Sequence, residues 1–309
     1  MALKPTKNIW FNGELVPWES AQIHVLSYAL HYGSAVFEGI RAYSTNDGTK
    51  IFRLDEHIKR LFNSAKIYRM NIAYNQQELM EACKIIVTTN ELNTGAYIRP
   101  IAFRGYNDLG LHASKDDDVE VVVAAWEWGT LLGEDALENG VDVGVSSWNR
   151  NAPNTIPVMA KASGNYLSGT LVAIEAKENG YDEGICLDSD GFVSEGSGEN
   201  IFMVRNSTLI TPPLSSSILD GITRDSVIKI AKSLNIEYIE RRITREELYL
   251  ADELFFTGTA AEITPIKSVD RLTVGNGTKG PLTDQIQKIF FGLFDGTVAD
   301  EWGWLDSVE

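Results

Sequence analysis

The sequence predicts an α+β protein with two domains. Its 309 residues exceed the length that one hydrophobic core usually organises, so we expect two domains that share a cleft. Strand-like and helix-like segments occur both before and after residues 129–140, a stretch rich in Gly and Glu that lacks their apolar alternation. We therefore expect a small N-terminal α+β domain at residues 1–128, an interdomain linker at 129–140 and a large C-terminal α+β domain at 141–309.

The first domain is expected to contain a hairpin, two helices and two strands. Residues 9–17 alternate about Asn12-Gly13, a dipeptide typical of a tight hairpin turn. Asp55 can cap a helix that has an apolar stripe and leaves Arg60 on another face. The remaining expected elements are a helix at residues 76–89 and strands at 96–103 and 119–126, the last so apolar that burial on both faces is expected.

The second domain is expected to mix five strands with three helices. The strands are expected near residues 141–145, 183–187, 200–204, 236–240 and 253–256, and the helices near 165–177, 223–234 and 283–293. Asp190-Gly191 predicts another hairpin turn. Since the chain shows no internal repeat, low-complexity tract or heptad run, it is not expected to be a repeat protein or a coiled coil.

Composition argues against several classes of protein. Apolar residues make up 44% and charged residues 23% of the chain, as in ordinary globular proteins. The net charge of -16 would repel nucleic acid and anionic lipid, so neither partner is expected. Cys83 and Cys186 are far apart, which disfavours a zinc site or a disulfide framework and predicts two small core residues. Residues 1–10 have no apolar run, so we expect no signal peptide and a cytoplasmic location.

Several common chemistries lack their sequence signatures. No GxGxxG opens a helix after a strand, and neither the phosphate-binding GxxxxGK[ST] nor the GxSxG nucleophile motif occurs. The four histidines lack metal-ligand spacing, which favours structural or surface roles for them and predicts no bound metal. They are His24, His31, His57 and His112.

Lys161 lies in the most unusual polar segment of the chain, residues 146–166. It follows four mainly apolar residues, 157–160 (PVMA), and precedes small residues and Tyr166. Apolar surroundings would lower the pKa of the lysine and favour the free amine that a Schiff base needs. By itself, however, the pattern favours an ordinary lysine that extends from the end of an element into solvent.

Three later segments offer groups that could hold a charged cofactor. In residues 194–200 (SEGSGEN), Glu195 or Glu199 could keep a pyridinium nitrogen protonated, although an ordinary turn explains the pattern equally well. Residues 220–225 (DGITRD) open a helix whose N-terminal N–H groups could bind phosphate, or could simply be capped. Residues 256–265 (FTGTAAEITP) offer hydroxyl and amide donors to an anion.

Together and in this order, the four segments resemble the fold type IV family of pyridoxal-phosphate enzymes, and within it the bacterial branched-chain aminotransferases. The resemblance extends along practically the whole chain, through residues 10–13 (WFNG), 28–33 (YALHYG), 37–41 (FEGIR), 97–100 (YIRP), 146–148 (SSW) and 302–306 (WGWLD). It implies a two-domain α+β fold with pyridoxal 5'-phosphate in the cleft between the domains and the cofactor lysine in the large domain.

The resemblance assigns a role to each cofactor-binding position. Lys161 would bind the cofactor aldehyde and later carry the proton between substrate Cα and cofactor C4′. Glu195 would pair with the pyridine nitrogen, and Tyr166 would hydrogen bond the 3′ oxygen of the ring. The phosphate would be held by four residues, namely Arg60, Ile222, Thr223 and Thr259.

The implied reaction is a reversible ping-pong transfer of the amino group from leucine, isoleucine or valine to 2-oxoglutarate, at the end of branched-chain amino acid biosynthesis or the start of degradation. One pocket would hold both substrates, so it needs apolar walls and a basic group. Tyr97 and Arg99 would receive carboxylates. The further implied substrate contacts are Phe37, Trp128, Tyr166, Thr259 and Ala260, with Tyr32, Leu109 and Leu111 from a neighbouring subunit. A homodimer is therefore implied, or else a hexamer, and core packing is the competing explanation for each aromatic residue.

Three competing functions remain open. The first is another enzyme of this fold, a D-amino-acid aminotransferase or an amino-deoxychorismate lyase, which shares the lysine and the glutamate. The YIRP segment at residues 97–100, the aromatic set and Ala260-Ala261 favour the branched-chain L-enzyme over both. The second is a cofactor-binding protein without turnover, which the joint presence of Lys161, Glu195, Tyr166 and Arg60 disfavours. The third is an α+β protein of no identifiable activity.

Overall fold

The computed structural model describes residues 3–106, 110–112, 118–129, 131–133 and 135–308. The strands are, in chain order, β1 (Asn8–Phe11), β2 (Glu14–Pro17), β3 (Ala35–Phe37), β4 (Ile40–Thr45), β5 (Gly48–Phe52), β6 (Ala96–Arg104), β7 (Val119–Trp126), β8 (Val141–Val145), β9 (Glu183–Leu187), β10 (Val193–Gly196), β11 (Asn200–Arg205), β12 (Thr208–Thr211), β13 (Tyr238–Glu240), β14 (Glu253–Gly258), β15 (Glu262–Val269), β16 (Leu272–Thr273) and β17 (Leu305–Ser307). The helices are α1 (Tyr28–Tyr32), α2 (Leu54–Ile67), α3 (Gln76–Thr89), α4 (Ala136–Asn139), α5 (Tyr166–Glu178), α6 (Ile222–Ser233), α7 (Arg245–Tyr249) and α8 (Pro281–Asp295).

The chain divides into two compact units. The first unit comprises Met1–Trp128, Ala160–Gly164 and Phe294–Glu309, and the second comprises Gly129–Met159 and Asn165–Leu293. This division differs from the predicted domains in two respects. Residues 129–140 belong to the second unit, and Lys161 and the C-terminal segment belong to the first.

The first unit is built on an antiparallel sheet with the strand order β17-β5-β4-β6-β7-β1-β2, and β3 pairs with β6. The predicted hairpin is confirmed, since β1 and β2 pair about Asn12 and Gly13, whose φ angles are 47° and 95°. The predicted burial of both faces of β7 is wrong. Val121 and Val123 are fully buried against the helical core, whereas Val122 is only half-buried.

Helix α2 begins two residues earlier than an Asp55 N-cap predicts. Arg53, in the left-handed conformation, occupies the N-cap position, and Asp55 lies in the first turn instead of capping the helix. The apolar stripe is confirmed, because Ile58 and Leu61 are fully buried. Arg60 lies off this stripe, as predicted, and can therefore face a polar partner.

The second unit is built on a mixed sheet with the strand order β10-β9-β8-β15-β14-β11-β12-β13, and β16 pairs with β15. Strand β8 is parallel to both of its neighbours, β9 and β15. Helix α5 lies tight against the turn after β10, since a Cβ on Gly169 would be 2.2 Å from the backbone oxygen of Ser197. A glycine at this position therefore allows the helix to hold the turn that follows Glu195.

Two further features of the fold concern the cysteines and the length of the helices. Cys83 and Cys186 are free and buried, which confirms them as core residues. None of the helices in the described residues is both long and apolar enough to cross a membrane.

Candidate active site

The segment that carries Lys161 is fixed by backbone contacts within the first unit. The Lys161 N–H donates a hydrogen bond to Ser64 Oγ of helix α2 at 2.9 Å. The Lys161 carbonyl accepts one from the N–H of Phe37 at 3.0 Å, and Ala162 forms a bridge with Val36. The Lys161 side chain is half-buried, with Nζ 5.0 Å from the centre of the Phe37 ring. The lysine is therefore held on a rigid backbone beside an aromatic face.

These contacts explain why Lys161 belongs to the first unit and not to the predicted large C-terminal domain. Its neighbours Ala160 and Ala162 are each 1% exposed and join the core of that unit. Since two small apolar residues flank the lysine, the segment packs into the core while the long side chain extends out of it.

Arg60 is held by a buried carboxylate. Its Nε and Nη2 donate to the two oxygens of Glu38 at 2.7 Å and 2.8 Å, a bidentate pairing that fixes the plane of the guanidinium. His57 Nδ1 is also bonded to Glu38, 2.7 Å from Oε2. Arg60 and His57 lie three residues apart on α2, so both reach the same partner.

The protonation states of Glu38 and His57 are set by their burial and by their ion pairs. Burial of Glu38 would raise its pKa, but the charge and hydrogen bonds of Arg60, with those of His57, hold that pKa well below its ordinary value. For His57, burial is the largest effect and lowers the pKa, although Glu38 opposes it. The neutral ring then donates from Nδ1 to Glu38. Its buried Nε2 has no hydrogen-bond partner among the residues that the structure describes.

Arg99 lies among aromatic rings. Its guanidinium carbon is 4.8 Å from the centre of Phe37, 5.3 Å from that of Tyr97 and 5.9 Å from that of Trp126. Strand alternation places Tyr97 and Arg99 on the same face of β6, and Nη2 donates to the Tyr97 hydroxyl at 3.4 Å. The buried Arg99 Nε has no partner within the described part of the chain. A cation with an unused donor in apolar surroundings is suited to bind an anionic ligand.

Gly39 makes this arrangement sterically possible. A Cβ at this position would be 1.9 Å from the Tyr97 hydroxyl oxygen. The FEGIR motif therefore supplies three functions in order, with Phe37 beside Arg99, Glu38 as the partner of Arg60, and Gly39 as space for Tyr97.

The rest of the predicted pocket residues in the first unit occupy exposed positions. The Trp128 ring is 5.2 Å from that of Tyr97 and the residue is 36% exposed. Tyr32 and Leu111, predicted to act in a neighbouring subunit, are 43% and 80% exposed. Leu109 lies outside the described residues. Tyr32 and Leu111 are therefore accessible on this chain, as a shared pocket would require.

In the second unit, Glu195 is the centre of a buried polar cluster. The residue is 4% exposed. One oxygen contacts Arg150 Nη2 at 2.6 Å, and the other accepts from Asn200 Nδ2 and from the N–H of Leu219, both at 3.0 Å. Burial disfavours the charge of Arg150, but Glu195 more than offsets this effect and the pKa of Arg150 is raised. A buried carboxylate with three donors is held as an anion in one orientation.

Glu199, which the sequence leaves as the competing candidate to Glu195, has a different environment. Its Oε2 accepts from the N–H of Gly198 at 3.1 Å and lies 2.7 Å from where a Cβ on Gly196 would be. The carboxylate is thus folded onto its own turn. Glu195 is therefore the better placed of the two to face a ligand with a defined orientation.

Two more segments of the second unit contain predicted phosphate-binding residues. Helix α6 begins at Ile222, and its N-cap residue, Gly221, makes no side-chain capping hydrogen bond. Thr259 and Ala260 form the turn between β14 and β15. The hydroxyl of Thr257, just before this turn, is buried and has no partner among the described residues. Tyr166 is the first residue of α5 and is half-buried.

The structure adds several residues to the site that the sequence does not single out. These are Glu38, Arg150 and Asn200, and the sequence predicts only a structural or surface role for His57. Arg150 lies inside the polar segment 146–166, which is a usable signal. Nothing in the local sequence pairs Glu38 with Arg60, because the two are 22 positions apart.

Comparisons with known proteins identify the family of this chain. A sequence model of amino-transferase class IV matches residues 35–269. The branched-chain-amino-acid aminotransferase of Escherichia coli (strain K12) is 55% identical over 308 residues, which cover 100% of this chain and 99% of that protein.

Two solved structures are similar over nearly their full lengths. The crystal structure of the Escherichia coli branched-chain amino acid aminotransferase has a TM-score of 0.97 and 55% identity, and the match covers 98% of this chain and 100% of that one. That of the Thermobaculum terrenum branched-chain amino acid aminotransferase in its PLP form has a TM-score of 0.91 and 36% identity, with 99% of both chains covered. The α+β fold predicted from the sequence is confirmed, and this chain belongs to the class IV aminotransferase family.

Proposed function

We propose that this chain is a branched-chain-amino-acid aminotransferase that uses pyridoxal 5'-phosphate to transfer the amino group of leucine, isoleucine or valine to 2-oxoglutarate. The relatives that support this activity match the chain over nearly its full length. The observation that carries the proposal is the shared Phe37 ring, which lies 5.0 Å from Lys161 Nζ and 4.8 Å from the Arg99 guanidinium. An amine for chemistry and a cation for a carboxylate thus border one apolar surface.

The described residues fit this cofactor, which has an aldehyde, a basic ring nitrogen and a phosphate. Lys161 supplies an amine on a fixed backbone, and Glu195 supplies a buried, oriented anion. The N-terminus of α6, where Gly221 is the N-cap, would present backbone N–H groups of the kind that bind phosphate. A buried donor that has no partner among the described residues, such as the Thr257 hydroxyl, is expected where a polar ligand completes the structure.

The mechanism assigns proton handling to Lys161. When bound, the cofactor supplies an electron sink that makes the substrate Cα–H acidic. Lys161 Nζ would hold the cofactor aldehyde and, once the substrate amine has taken its place, would carry the proton between substrate Cα and cofactor C4′. The backbone contacts with Ser64 and Phe37 restrict where Nζ can move.

Glu195 and Tyr166 adjust the electronic state of the ring. Glu195 would keep the pyridine nitrogen protonated, because Arg150, Asn200 and Leu219 hold the carboxylate as an anion. The Tyr166 hydroxyl would donate a hydrogen bond to the 3′ oxygen of the ring.

The proposed phosphate site combines one positively charged side chain with backbone N–H and hydroxyl donors. Ile222 and Thr223 offer backbone N–H groups at the start of α6, and Thr259 offers hydroxyl and amide donors. Arg60 supplies the positive charge. The bidentate pairing of Nε and Nη2 with Glu38 fixes the plane of its guanidinium.

The substrate pocket combines apolar walls with one cation. Arg99 receives the side-chain carboxylate of glutamate or 2-oxoglutarate, and Tyr97 contributes its hydroxyl to carboxylate binding. The remaining walls come from Phe37, Trp128, Tyr166, Thr259 and Ala260, with Tyr32, Leu109 and Leu111 contributed by a second copy. The proposed active species is then a homodimer with shared sites, or a hexamer of three such dimers.

Because donor and acceptor bind in turn to the same pocket, the reaction follows ping-pong kinetics. The reaction is reversible, yields L-glutamate and branched 2-oxo acids, and serves biosynthesis or degradation of branched-chain amino acids. Cytoplasmic location stays a prediction.

The test is to offer purified protein L-leucine, D-alanine and amino-deoxychorismate in parallel, with 2-oxoglutarate where an acceptor is needed. We expect 4-methyl-2-oxopentanoate and L-glutamate from L-leucine, and a change in the visible absorbance of the bound cofactor on adding L-leucine alone. Product from D-alanine only, or from amino-deoxychorismate only, would replace the proposed function. Bound cofactor with no product from any substrate would support a protein without turnover.

A further inference from the structure

Asn200 joins two parts of the second unit that have separate roles in the proposed function. Its Nδ2 donates to Glu195 Oε2 and to the carbonyl of Leu219, both at 3.0 Å. The N–H of Leu219 donates to the same Glu195 oxygen at 3.0 Å. These three hydrogen bonds close a triangle of the Glu195 carboxylate, the Asn200 side-chain amide and the backbone N–H and C=O of Leu219.

Asn200 also lies against the start of helix α6. Gly221 is the N-cap of this helix, and a Cβ on it would lie 1.9 Å from Asn200 Oδ1. The φ and ψ of Gly221 are −75° and 131°, which any residue adopts. The glycine is therefore required by its contact with Asn200 and not by its backbone conformation.

The hydrogen bonds at position 200 require a side-chain amide. Asn200 is 5% exposed, and its hydrogen bonds to Glu195 and Leu219 both use Nδ2, which has two protons to donate. An aspartate has no donor when ionised and would place a second negative charge beside Glu195. A leucine of similar size would leave both acceptors without this donor.

We infer that Asn200 is a positioning residue that couples the carboxylate facing the pyridine nitrogen to the helix N-terminus facing the phosphate. The inference rests on the proposed roles of Glu195, Ile222 and Thr223. The ring nitrogen and the phosphate belong to one small molecule and are joined by a short ester arm, so the distance between their protein partners has to lie within the span of that molecule. Asn200 sets that distance from the protein side, without touching the cofactor.

The test measures binding of pyridoxal 5'-phosphate to the cofactor-free protein, by titration followed through absorbance or tryptophan fluorescence. We expect Asn200→Asp and Asn200→Leu to weaken binding about 10- to 100-fold, the range for hydrogen bonds to a charged group. Because Asp brings a second charge to Glu195 and Leu does not, Asn200→Asp should also move the pH dependence of the bound cofactor's absorbance. A role confined to packing would leave that pH dependence unchanged.

Asn90→Asp is the matched control. Asn90 is also buried, and its Nδ2 also donates to two carbonyls, of Asn8 and Ile86 at 3.0 Å and 2.9 Å, but it belongs to the first unit. We expect it to lower the melting temperature of the cofactor-free protein while leaving cofactor affinity unchanged. An equal loss of affinity in this variant would overturn the inference, because general destabilisation would then explain both results.

A second route does not depend on how well Asn200→Asp folds. Gly221→Ala should weaken cofactor binding, since the new Cβ collides with Asn200 Oδ1. In an Asn200→Ala background the collision is gone, so Gly221→Ala should have little further effect. Additive losses in this cycle would contradict the coupling. Failure of the unmodified protein to bind the cofactor would instead refute the proposed function, so the two failures are distinguishable.

Discussion

The Ser64 hydroxyl accepts a hydrogen bond from the backbone N–H of Lys161, 2.9 Å away. Ser64 follows Arg60 by one turn on helix α2, so one helix holds both the lysine and the arginine of the proposed cofactor site. We predict that Ser64→Ala destabilises the protein by about 1 kcal/mol, the typical net value of one hydrogen bond, and lowers kcat more than it changes KM. Urea denaturation and steady-state kinetics would check this, and an unchanged kcat would show that the bond does not position Lys161.

Lys161→Ala should abolish transamination while the fold persists. The side chain is half-buried and serves chemistry, whereas the flanking Ala160 and Ala162 provide the packing. We expect kcat to fall at least about 100-fold, the lower range for loss of a positioned acid–base group. Lys177→Ala, at the end of α5, is the control and should keep full activity. Unfolding of Lys161→Ala in a circular dichroism melt would count against the assignment.

Acid destabilisation should depend on His57. Because its pKa in the folded protein is below the ordinary value of 6.5, the unfolded chain binds the proton more readily, and stability is lost as pH falls below about 6.5. The slope from this one group is at most about 1.4 kcal/mol per pH unit. His57→Asn keeps a donor for Glu38 but does not titrate, so its unfolding free energy should change less between pH 7 and pH 5. Parallel urea titrations at these two pH values would measure it, and equal slopes in both proteins would refute the role of His57.

Gly39→Ala should separate the two halves of the reaction. The added methyl would collide with the Tyr97 hydroxyl and displace the partner of Arg99, so KM for 2-oxoglutarate should rise at least about tenfold. The half-reaction with L-leucine, which needs no side-chain carboxylate, should be less affected. Single-turnover measurements with each substrate give the comparison. Equal losses in both would mean that Gly39 supports the pocket in general and not its cation.

Glu195→Gln should retain the cofactor but slow turnover on the order of 100-fold, because a neutral amide does not hold the proton on the ring nitrogen. Glu199→Gln is the matched control, since Glu199 is just as buried yet folds onto its own turn. We expect near-normal turnover from this variant. If Glu199→Gln is the slower enzyme, the roles of the two carboxylates have to be exchanged.

Local patterns in the sequence predict part of the fold, but the expected elements do not include β3, β4, β5, β12, β15, α1 or α7. The Asn12-Gly13 hairpin and the strands at 141–145 and 183–187 follow from turn chemistry and apolar runs, which are properties of neighbouring residues. Strand β10 is also not predicted, because its four residues, VSEG, are mostly polar or small yet are buried. Burial of such residues depends on partners from distant strands, which local periodicity does not report.

Local patterns likewise predict only part of the candidate site. Lys161 and Glu195 stand in unusual local segments and can be singled out, and the resemblance supplies Arg60. The residues that hold them cannot be found in this way: Glu38 is 22 positions from Arg60, and Ser64 is 97 positions from Lys161. Their function exists only once the sheet and helix α2 have brought them together.

The short stretch Ala160–Gly164 has a consequence for dissecting the protein. It belongs to the first unit although the chain on both sides of it belongs to the second, and the terminal strand β17 pairs with β5 in the same way. No single cut of the gene therefore yields either unit intact. A fragment ending at Trp128 would expose the edge of β5 and leave the places of Ala160 and Ala162 vacant, so split or truncated forms should aggregate unless the missing pieces are co-expressed.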